Sequence, residues 1–376
     1  MTFSKDVLTR WAPPLVFFAN GMVYMTLFAR LPDVTAAAGI GAGQLGLAMA
    51  AIPAGVLIAL LILPRLSARF PAEGIARVAL CFVLAVAMLT QWAELWSLAA
   101  ILFAFGFGRE VLELAQNQLA RASEGTSGRS RMALAHGGWS VGGLIATGLA
   151  SLLIAWQVPV ALHLLLVCLL PVIAAILVVG RGQRPAPLST RPGLPRPDRY
   201  TALLFGVSLG FMATENMVYA WALFFLREEA GFAPAAATLV YSSFAAAMIV
   251  MRLIGDRLRD RVAMRPLMAI LSVVAICGLV LLVAAGPLTG TAQWLAAGLG
   301  LALTGAGVAL NGPLIARAAL DHGAASSFAA LSGMNLAAGL MLPVLFGGLA
   351  AAFGYWACFA ASVPIVLVSL AFSRRL

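Results

Sequence analysis

Along this chain, apolar runs of about twenty residues alternate with short polar connections, without the period-two alternation of a half-buried strand. Between charged or Pro/Gly punctuation, the runs fall near residues 11–30, 42–63, 74–91, 96–119, 132–156 and 159–180. A second set lies near 200–226, 235–255, 265–285, 292–316, 326–350 and 353–372. Each is close to the length that crosses the hydrocarbon as a helix. A closed β-barrel would show alternating segments of about ten residues, and none occur. The pattern predicts an all-α membrane protein of twelve transmembrane helices.

Composition agrees. Hydrophobic residues make up 62% of the chain and charged residues 10%, against roughly 25% charged in a soluble domain. Such a chain cannot cover a water-facing surface. The first run follows Arg10 directly and passes on without a small-residue cleavage site, so it reads as the first span rather than a signal peptide. Cys81, Cys168, Cys277 and Cys358 all fall inside apolar runs and read as small buried side chains.

The net charge of +10 raises nucleic acid as a partner, but its distribution answers the question. Connections on the N-terminal side hold Lys5, Arg10, Arg65, Arg69, Arg77, Arg121, Arg129, Arg131, the arginines from Arg181 to Arg199, and Arg257 to Arg265. They also hold Arg317, Arg374 and Arg375. The other side has Arg30 and Arg227 among Asp33, Glu94, Glu228 and Glu229. Basic residues in short loops mark the cytoplasmic face, so both termini are expected there, with an inner membrane as the location. Nucleic acid is not an expected partner; the lipid bilayer is.

The longest connection, residues 181–199, carries repeated Pro and Arg and reads as a cytoplasmic linker. It separates a first bundle of six helices, 1–180, from a second, 200–376. The halves resemble each other. Met22-Val23-Tyr24 recurs as Met217-Val218-Tyr219, and Leu119-Ala120-Arg121-Ala122 as Ile315-Ala316-Arg317-Ala318. His136-Gly137 and Gly143 match Ser332-Gly333 and Gly339 in the register of the Arg121 to Arg317 match. Duplicated bundles that rock against each other are a common way to build alternating access.

These features, over essentially the whole chain, resemble the major facilitator superfamily. The strongest stretch is Met251-Arg252-Leu253-Ile254-Gly255-Asp256-Arg257, continuing to Asp260-Arg261, which is similar to the superfamily's G-x-x-x-D-R-x-G-R signature. The matching connection Pro64-Arg65-Leu66-Ser67-Ala68-Arg69-Phe70 departs from it, with Pro64 for the glycine and no acid. Within the superfamily, the pattern resembles the subgroup named for a rhizopine (inositol-amine) transport protein. The residues concerned are Arg30 with Pro32; Asn117, Glu124, Gly128-Arg129, His136 and Ser140; Glu215 with Trp221; and Asn311 with Pro313. Arg109 and Glu110 stand where the subgroup leads one to expect Asn and Gly. The resemblance implies two pseudo-symmetric six-helix bundles whose first, fourth, seventh and tenth helices line a central cavity. It also implies a small polar solute, and a gate in which Asp256, with Arg252 and Arg257, meets the start of the fifth helix and Arg121 and Arg129.

Ionisable side chains away from the interfaces are the informative ones, since each costs at least about 2.5–3.5 kcal/mol at a helix centre. Arg109, Glu110, Glu113, Glu215 and Arg252 qualify, with His136 and His163 as weaker candidates. Ser208, Glu215 and Tyr219 share a helical face by spacings of seven and four. Read as an isolated carboxylate in a partly dry cavity, Glu215 can exchange a proton as its solvation changes. In its structural reading it bonds a neighbouring helix and stays neutral. Arg109, Glu113 and Asn117 step by four along the fourth span with Glu110 beside them, and Arg109 is expected to pair with Glu113. Two acids and one base suit a cationic or zwitterionic solute or a second proton site; the same stripe also serves as a self-satisfied packing patch. Asn20, Tyr24, Asn216, Trp221, Asn311 and Asn335 are further solute contacts or interhelical glue. His163 has no polar neighbour within a turn and reads as structural.

No phosphate loop, HExxH helix or catalytic triad appears, so neither an enzyme nor a resident cofactor or metal is expected. The expected function is a monomeric, proton-coupled secondary transporter for a small polar solute such as an amino-sugar or polyol. The alternative is an efflux pump for amphipathic or cationic compounds, with Phe17, Phe18, Phe211 and Met212 lining a wide cavity. A non-transporting receptor or assembly subunit is a third reading, which the intramembrane charges disfavour.

Overall fold

The computed structural model of the chain describes residues 5–124, 132–179 and 196–376, without the side chains of 5–10, 124, 133, 256 and 323–325. Twelve stretches among the described residues are helical, long and apolar enough to cross a membrane, and each lies where the hydrophobic pattern put it. The protein is an all-helical, multi-pass membrane protein. It divides into two compact units, Met1–Ile40 with Leu47–Arg191, and Gly41–Gly46 with Pro192–Leu376.

The first unit contains α1 (Lys5–Ala38), α2 (Ala42–Met49), α3 (Ala51–Arg69), α4 (Ala72–Leu89), α5 (Leu95–Glu124), α6 (Met132–Ala155) and α7 (Val160–Val178), except that the start of α2 groups with the second unit. Two departures from the sequence pattern have local causes. Helix α1 does not stop at Arg30 but continues through Pro32 to Ala38, ending on Gly39 at φ +64°. Thr35 Oγ1 donates to the Leu31 and Pro32 carbonyls at 3.1 Å, and Arg30 is held within the helix by Asp33 at 2.8 Å. The second span breaks between α2 and α3. Pro53, third residue of α3, lacks the N–H for the carbonyl of Met49 and its ring crowds it.

The unit is closed by small residues. A Cβ on Gly21, Gly138 or Gly142 would collide with a backbone oxygen of the opposite helix, so α1 and α6 meet backbone to backbone. Arg77, in the first turns of α4, donates to the carbonyl of Val179 and caps the C-terminus of α7.

The second unit contains α8 (Arg199–Phe224), α9 (Pro234–Arg261), α10 (Met264–Ala284), α11 (Gly290–Val308), α12 (Asn311–Phe353) and α13 (Trp356–Ser373). Asp198 caps α8 by accepting the Thr201 N–H at 2.7 Å. Ser369 on α13 bridges to α8, accepting the Gly210 N–H at 2.8 Å and donating to the Gly206 carbonyl at 3.0 Å. A wide π turn, Phe225–Glu229, ends the seventh span and brings Glu229 to the start of α13, where its oxygens accept the Tyr355 and Trp356 N–H groups. Burial, then the Glu228 carboxylate that accepts its hydrogen bond, and Glu229 push the Tyr355 phenol above its ordinary range.

The tenth span is also broken. It runs as α11 to Val308, loses the helix at Ala309 and Leu310, and resumes as α12 at Asn311. Pro313 is again the third residue after the break and opposes the carbonyl of Ala309. Beyond it, helical turns continue through Phe353 with no intervening loop, so α12 carries the end of the tenth span and the whole of the eleventh.

Candidate functional site

Each unit carries its own cluster of polar side chains inside membrane-spanning helices. In the first unit the cluster forms on α1, α5 and α6. Gln116, fully buried on α5, is its hub: its Oε1 accepts Asn20 Nδ2 at 3.2 Å, and its Nε2 donates to Glu113 Oε2 at 2.6 Å. Glu113 Oε1 accepts Asn117 Nδ2 at 3.0 Å. Asn20, Gln116, Glu113 and Asn117 thus form one hydrogen-bonded chain from α1 onto α5.

This corrects the expected Arg109–Glu113 pair. Glu113 places its two oxygens on amides, while the Arg109 guanidinium lies 5.2 Å from the centre of the Tyr24 ring. Tyr24 stacks on Phe28 at 4.5 Å between centroids and has Trp139 at 6.0 Å, so the cation sits against an aromatic wall. Glu110, next in the chain to Arg109, is half-buried. His136 is exposed and meets Phe17 edge-on at 4.7 Å.

His163 has a partner that its own helix does not reveal. It is fully buried, and Arg30 Nη1 comes within 3.4 Å of its Nδ1 from α1. A guanidinium offers only donors, so in this contact Nδ1 is the accepting ring nitrogen. With half-buried Asp33 on the other side of Arg30, the three form an Asp–Arg–His series whose arginine and histidine are buried.

In the second unit, Glu215 is not isolated, which corrects the reading of a lone carboxylate. Its Oε1 lies 3.7 Å from Arg252 Nη2, on α9, and accepts the Tyr219 hydroxyl at 3.3 Å. Tyr219 also reaches Met248 Sδ at 3.5 Å and packs edge-on against Phe244. Arg252, assigned by sequence to a gate, therefore belongs with the mid-span carboxylate. On the same face of α8, Ser208 Oγ accepts Asn311 Nδ2 at 3.1 Å. Asn311 is 4% exposed.

The remaining sequence candidates divide. Asn216 is exposed and donates to its own helix at the Met212 carbonyl. Trp221 is 1% exposed and packs against Phe224 and Tyr355. Asn335 is half-buried on α12, and its Oδ1 has no partner among the described residues. Arg121 and Arg257 are exposed near the ends of α5 and α9. The Asp256 side chain, Arg129 and most of the 181–199 linker lie outside the described residues. Phe17 and Phe211, candidates for a wide aromatic cavity, are fully buried in packing.

A polytopic helical protein with paired charges and amide networks inside its spans has the character of a membrane transporter, and the comparisons with known proteins give the family. Residues 15–341 match the Major Facilitator Superfamily, and the chain belongs to it. It is 29% identical over 284 residues to the uncharacterized transporter y4wD of Sinorhizobium fredii, covering 74% of this chain and 75% of that one. It is 28% identical over 266 residues to an uncharacterized MFS-type transporter of Yersinia pestis, covering 68% and 66%. Among solved structures, the fold is similar to the nucleoside transporter NupG, with TM-score 0.74, 11% identity and 98% coverage of both chains. It is also similar to a bacterial homologue of the human lysosomal transporter Spinster, with TM-score 0.73, 14% identity and 99% and 97% coverage. The protein is an MFS transporter with the MFS fold.

Proposed function

We propose that this transporter moves a small neutral or zwitterionic polar solute, of the amino-sugar or polyol kind, coupled to protons by alternating access. The observation that carries the reading is the Glu215–Arg252–Tyr219 cluster inside the spans of the second unit. A carboxylate that takes a proton gives up its ionic contact with Arg252 but keeps a hydrogen bond to a phenol. The cluster is therefore an element whose arrangement a single proton alters. Solute chemistry is supplied by groups that suit hydroxyls and amines: the Asn20–Gln116–Glu113–Asn117 chain, Arg109 over Tyr24, and the Ser208–Asn311 pair.

The protein acts as a monomer in an inner membrane with both termini cytoplasmic. That orientation rests on the arginines gathered in the connections of one side. On the same reading, Asp256 and Arg257 serve the cytoplasmic gate, with Arg121 and Arg129 as the expected partners of Asp256, and Arg252 belongs to the coupling cluster. Export of amphipathic compounds is the weaker reading, because Phe17 and Phe211 are used in packing.

The test is uptake into proteoliposomes with an imposed pH gradient, across a panel of amino-sugars, polyols, nucleosides and cationic drugs. Glu215→Gln is expected to abolish gradient-driven accumulation and to keep solute counterflow. Gradient-driven accumulation unchanged in Glu215→Gln would remove Glu215 from the coupling.

A further inference from the structure

Two arginines at the turn between α9 and α10 stand without a counter-ion beside an apolar surface that is hollowed. Residues 256–265, the end of α9 and the start of α10, carry four arginines and two aspartates. Arg259 lies 3.7 Å from Asp260, and Arg257 serves the gate proposed above. Arg261, the last residue of α9, and Arg265, the second of α10, are exposed and have no ion-pair partner among the described residues. Towards the membrane interior their surroundings are apolar. Helix α10 packs on α11 and α13, burying Leu267, Met268, Leu271 and Ala275. Its other face turns Ile270 and Val273 outward, each about half exposed. On this face lies a hollow of about 300 Å³ lined by Ala269, Ile270, Val273 and Val274. Arg265, Ala269 and Val273 succeed one another at steps of four, and Pro266, Ile270 and Val274 run beside them. The hollow therefore follows the groove between two rows of one helical face. At 1.5 Å per residue it begins about 6 Å from Arg265 and ends about 14 Å from it.

We propose that the corner between α9 and α10 binds an anionic phospholipid, with Arg261 and Arg265 on its phosphate and an acyl chain along the hollow of α10. The site is separate from solute transport and does not depend on it. Depth and charge choose the occupant. A hollow among lipid-facing side chains forfeits dispersion contacts unless something fills it. At that depth an acyl chain is the flexible apolar body able to follow a narrow groove. A lipid phosphate sits at the level of the helix end, where arginine stems lie along apolar surface and extend their heads to the interface. There the guanidinium forms paired, charge-assisted hydrogen bonds with phosphate oxygens. Phosphatidylcholine and phosphatidylethanolamine bring a cation of their own to a corner with four arginines against two aspartates. A lipid whose only charge is its phosphate brings none. An acidic peptide would match the arginines, but it could not follow the hollow into hydrocarbon without leaving backbone groups unsatisfied.

The test counts bound lipids by native mass spectrometry of the purified full-length protein, titrated with dioleoyl phosphatidylglycerol and, as the neutral probe, dioleoyl phosphatidylcholine. Wild type is expected to hold one phosphatidylglycerol in preference to phosphatidylcholine. Arg261→Gln and Arg265→Gln should each weaken that binding about fivefold and leave phosphatidylcholine unchanged. The pair Arg374→Gln and Arg375→Gln removes two exposed arginines at the chain end and should have no effect. Val273→Trp, which fills the hollow from an exposed position, should weaken phosphatidylglycerol several-fold with every arginine in place. Bound phosphatidylglycerol should also raise the melting temperature of wild type and not that of the double variant Arg261→Gln with Arg265→Gln. Absence of a preference for phosphatidylglycerol in wild type overturns the proposal. An equal loss in the chain-end variant also overturns it, because the attraction would then be to net charge alone. Val273→Trp without effect does the same, since the lipid would then have no place for its chain.

Discussion

Glu215 on α8 and Arg252 on α9 meet at 3.7 Å, each side chain about three-tenths exposed, with the Tyr219 hydroxyl on the same carboxylate oxygen. Opposite charges within spans are each costly alone and find each other across helices. Arg252 lies three residues before Gly255, at the edge of the signature stretch, yet its guanidinium reaches the carboxylate of the neighbouring helix.

The pair acts as a unit if proton coupling uses it. Arg252→Gln is expected to lose about as much gradient-driven uptake as Glu215→Gln, and the double variant no more than the worse single one. Tyr219→Phe, which leaves the ionic contact, should lose less than either. Losses that multiply in the double variant would show two independent residues.

In the first unit, the hydrogen-bonded chain sets a different pattern of coupling. Arg109→Ala and Glu113→Ala should add to within about 0.5 kcal/mol in a stability cycle, because they do not share a contact. Asn20→Ala and Gln116→Ala, joined by a buried hydrogen bond at 3.2 Å, should be coupled by about 1 kcal/mol. Chemical unfolding of the four single and two double variants in micelles measures both. A coupled Arg109–Glu113 pair with an uncoupled Asn20–Gln116 pair would reverse the assignment.

Much of the fold is legible in the chain, and the site is less so for specific reasons. The twelve spans follow from hydropathy because lipid requires every backbone group to be satisfied within the helix. Glu215, Glu113 and Asn311 stand out as polar groups in apolar runs. Partners across helices do not show in such a reading, because spacing along one helix reports only one face. His163 therefore looks solitary in sequence while Arg30 approaches it from α1, and Arg109 has Glu113 one turn away on α5 but lies over Tyr24 of α1. A count of charges does point to Arg252, the one cation inside a span among the second-half candidates, beside one mid-span acid. A stripe drawn in steps of four passes over Gln116, although three residues from Glu113 is also one turn. The two helix breaks are readable from Pro53 and Pro313 with the carbonyls four residues earlier.

The start of α13 yields a stability prediction. Gly354 adopts φ +94°, and a Cβ there would lie 2.5 Å from Glu229 Oε1, the atom that caps α13. Gly354→Ala is expected to cost more than Glu229→Gln, which keeps an oxygen for one N–H and should lose about 1 kcal/mol of capping. Thermal unfolding of both variants in micelles checks the order. Equal melting temperatures for Gly354→Ala and wild type would show that the turn tolerates a side chain.

The last prediction concerns acid. Asp198 caps α8 through the Thr201 N–H at 2.7 Å and lies 2.7 Å from His322 Nε2, with Tyr200 packed on the His322 ring at 4.4 Å. The Thr201 hydrogen bonds first, and then His322, hold the Asp198 carboxyl down at about 2. An unfolded Asp titrates near 3.9, so the folded state prefers the ionised form. The sign follows from linkage: this contribution is fully present above about pH 4 and is lost as pH falls towards about 2. The group is fully exposed, so the effect is small and partly screened, but its origin in a short hydrogen bond makes it less sensitive to salt than a distant ion pair. Asp198→Asn should flatten the fall in melting temperature between about pH 4 and pH 2. His322→Ala should flatten it less, because the Thr201 N–H is the larger cause. Melting temperatures of wild type and the two variants across that range, at low and high salt, give the comparison. An acid limb in Asp198→Asn as steep as in wild type would place the acid sensitivity on other carboxylates.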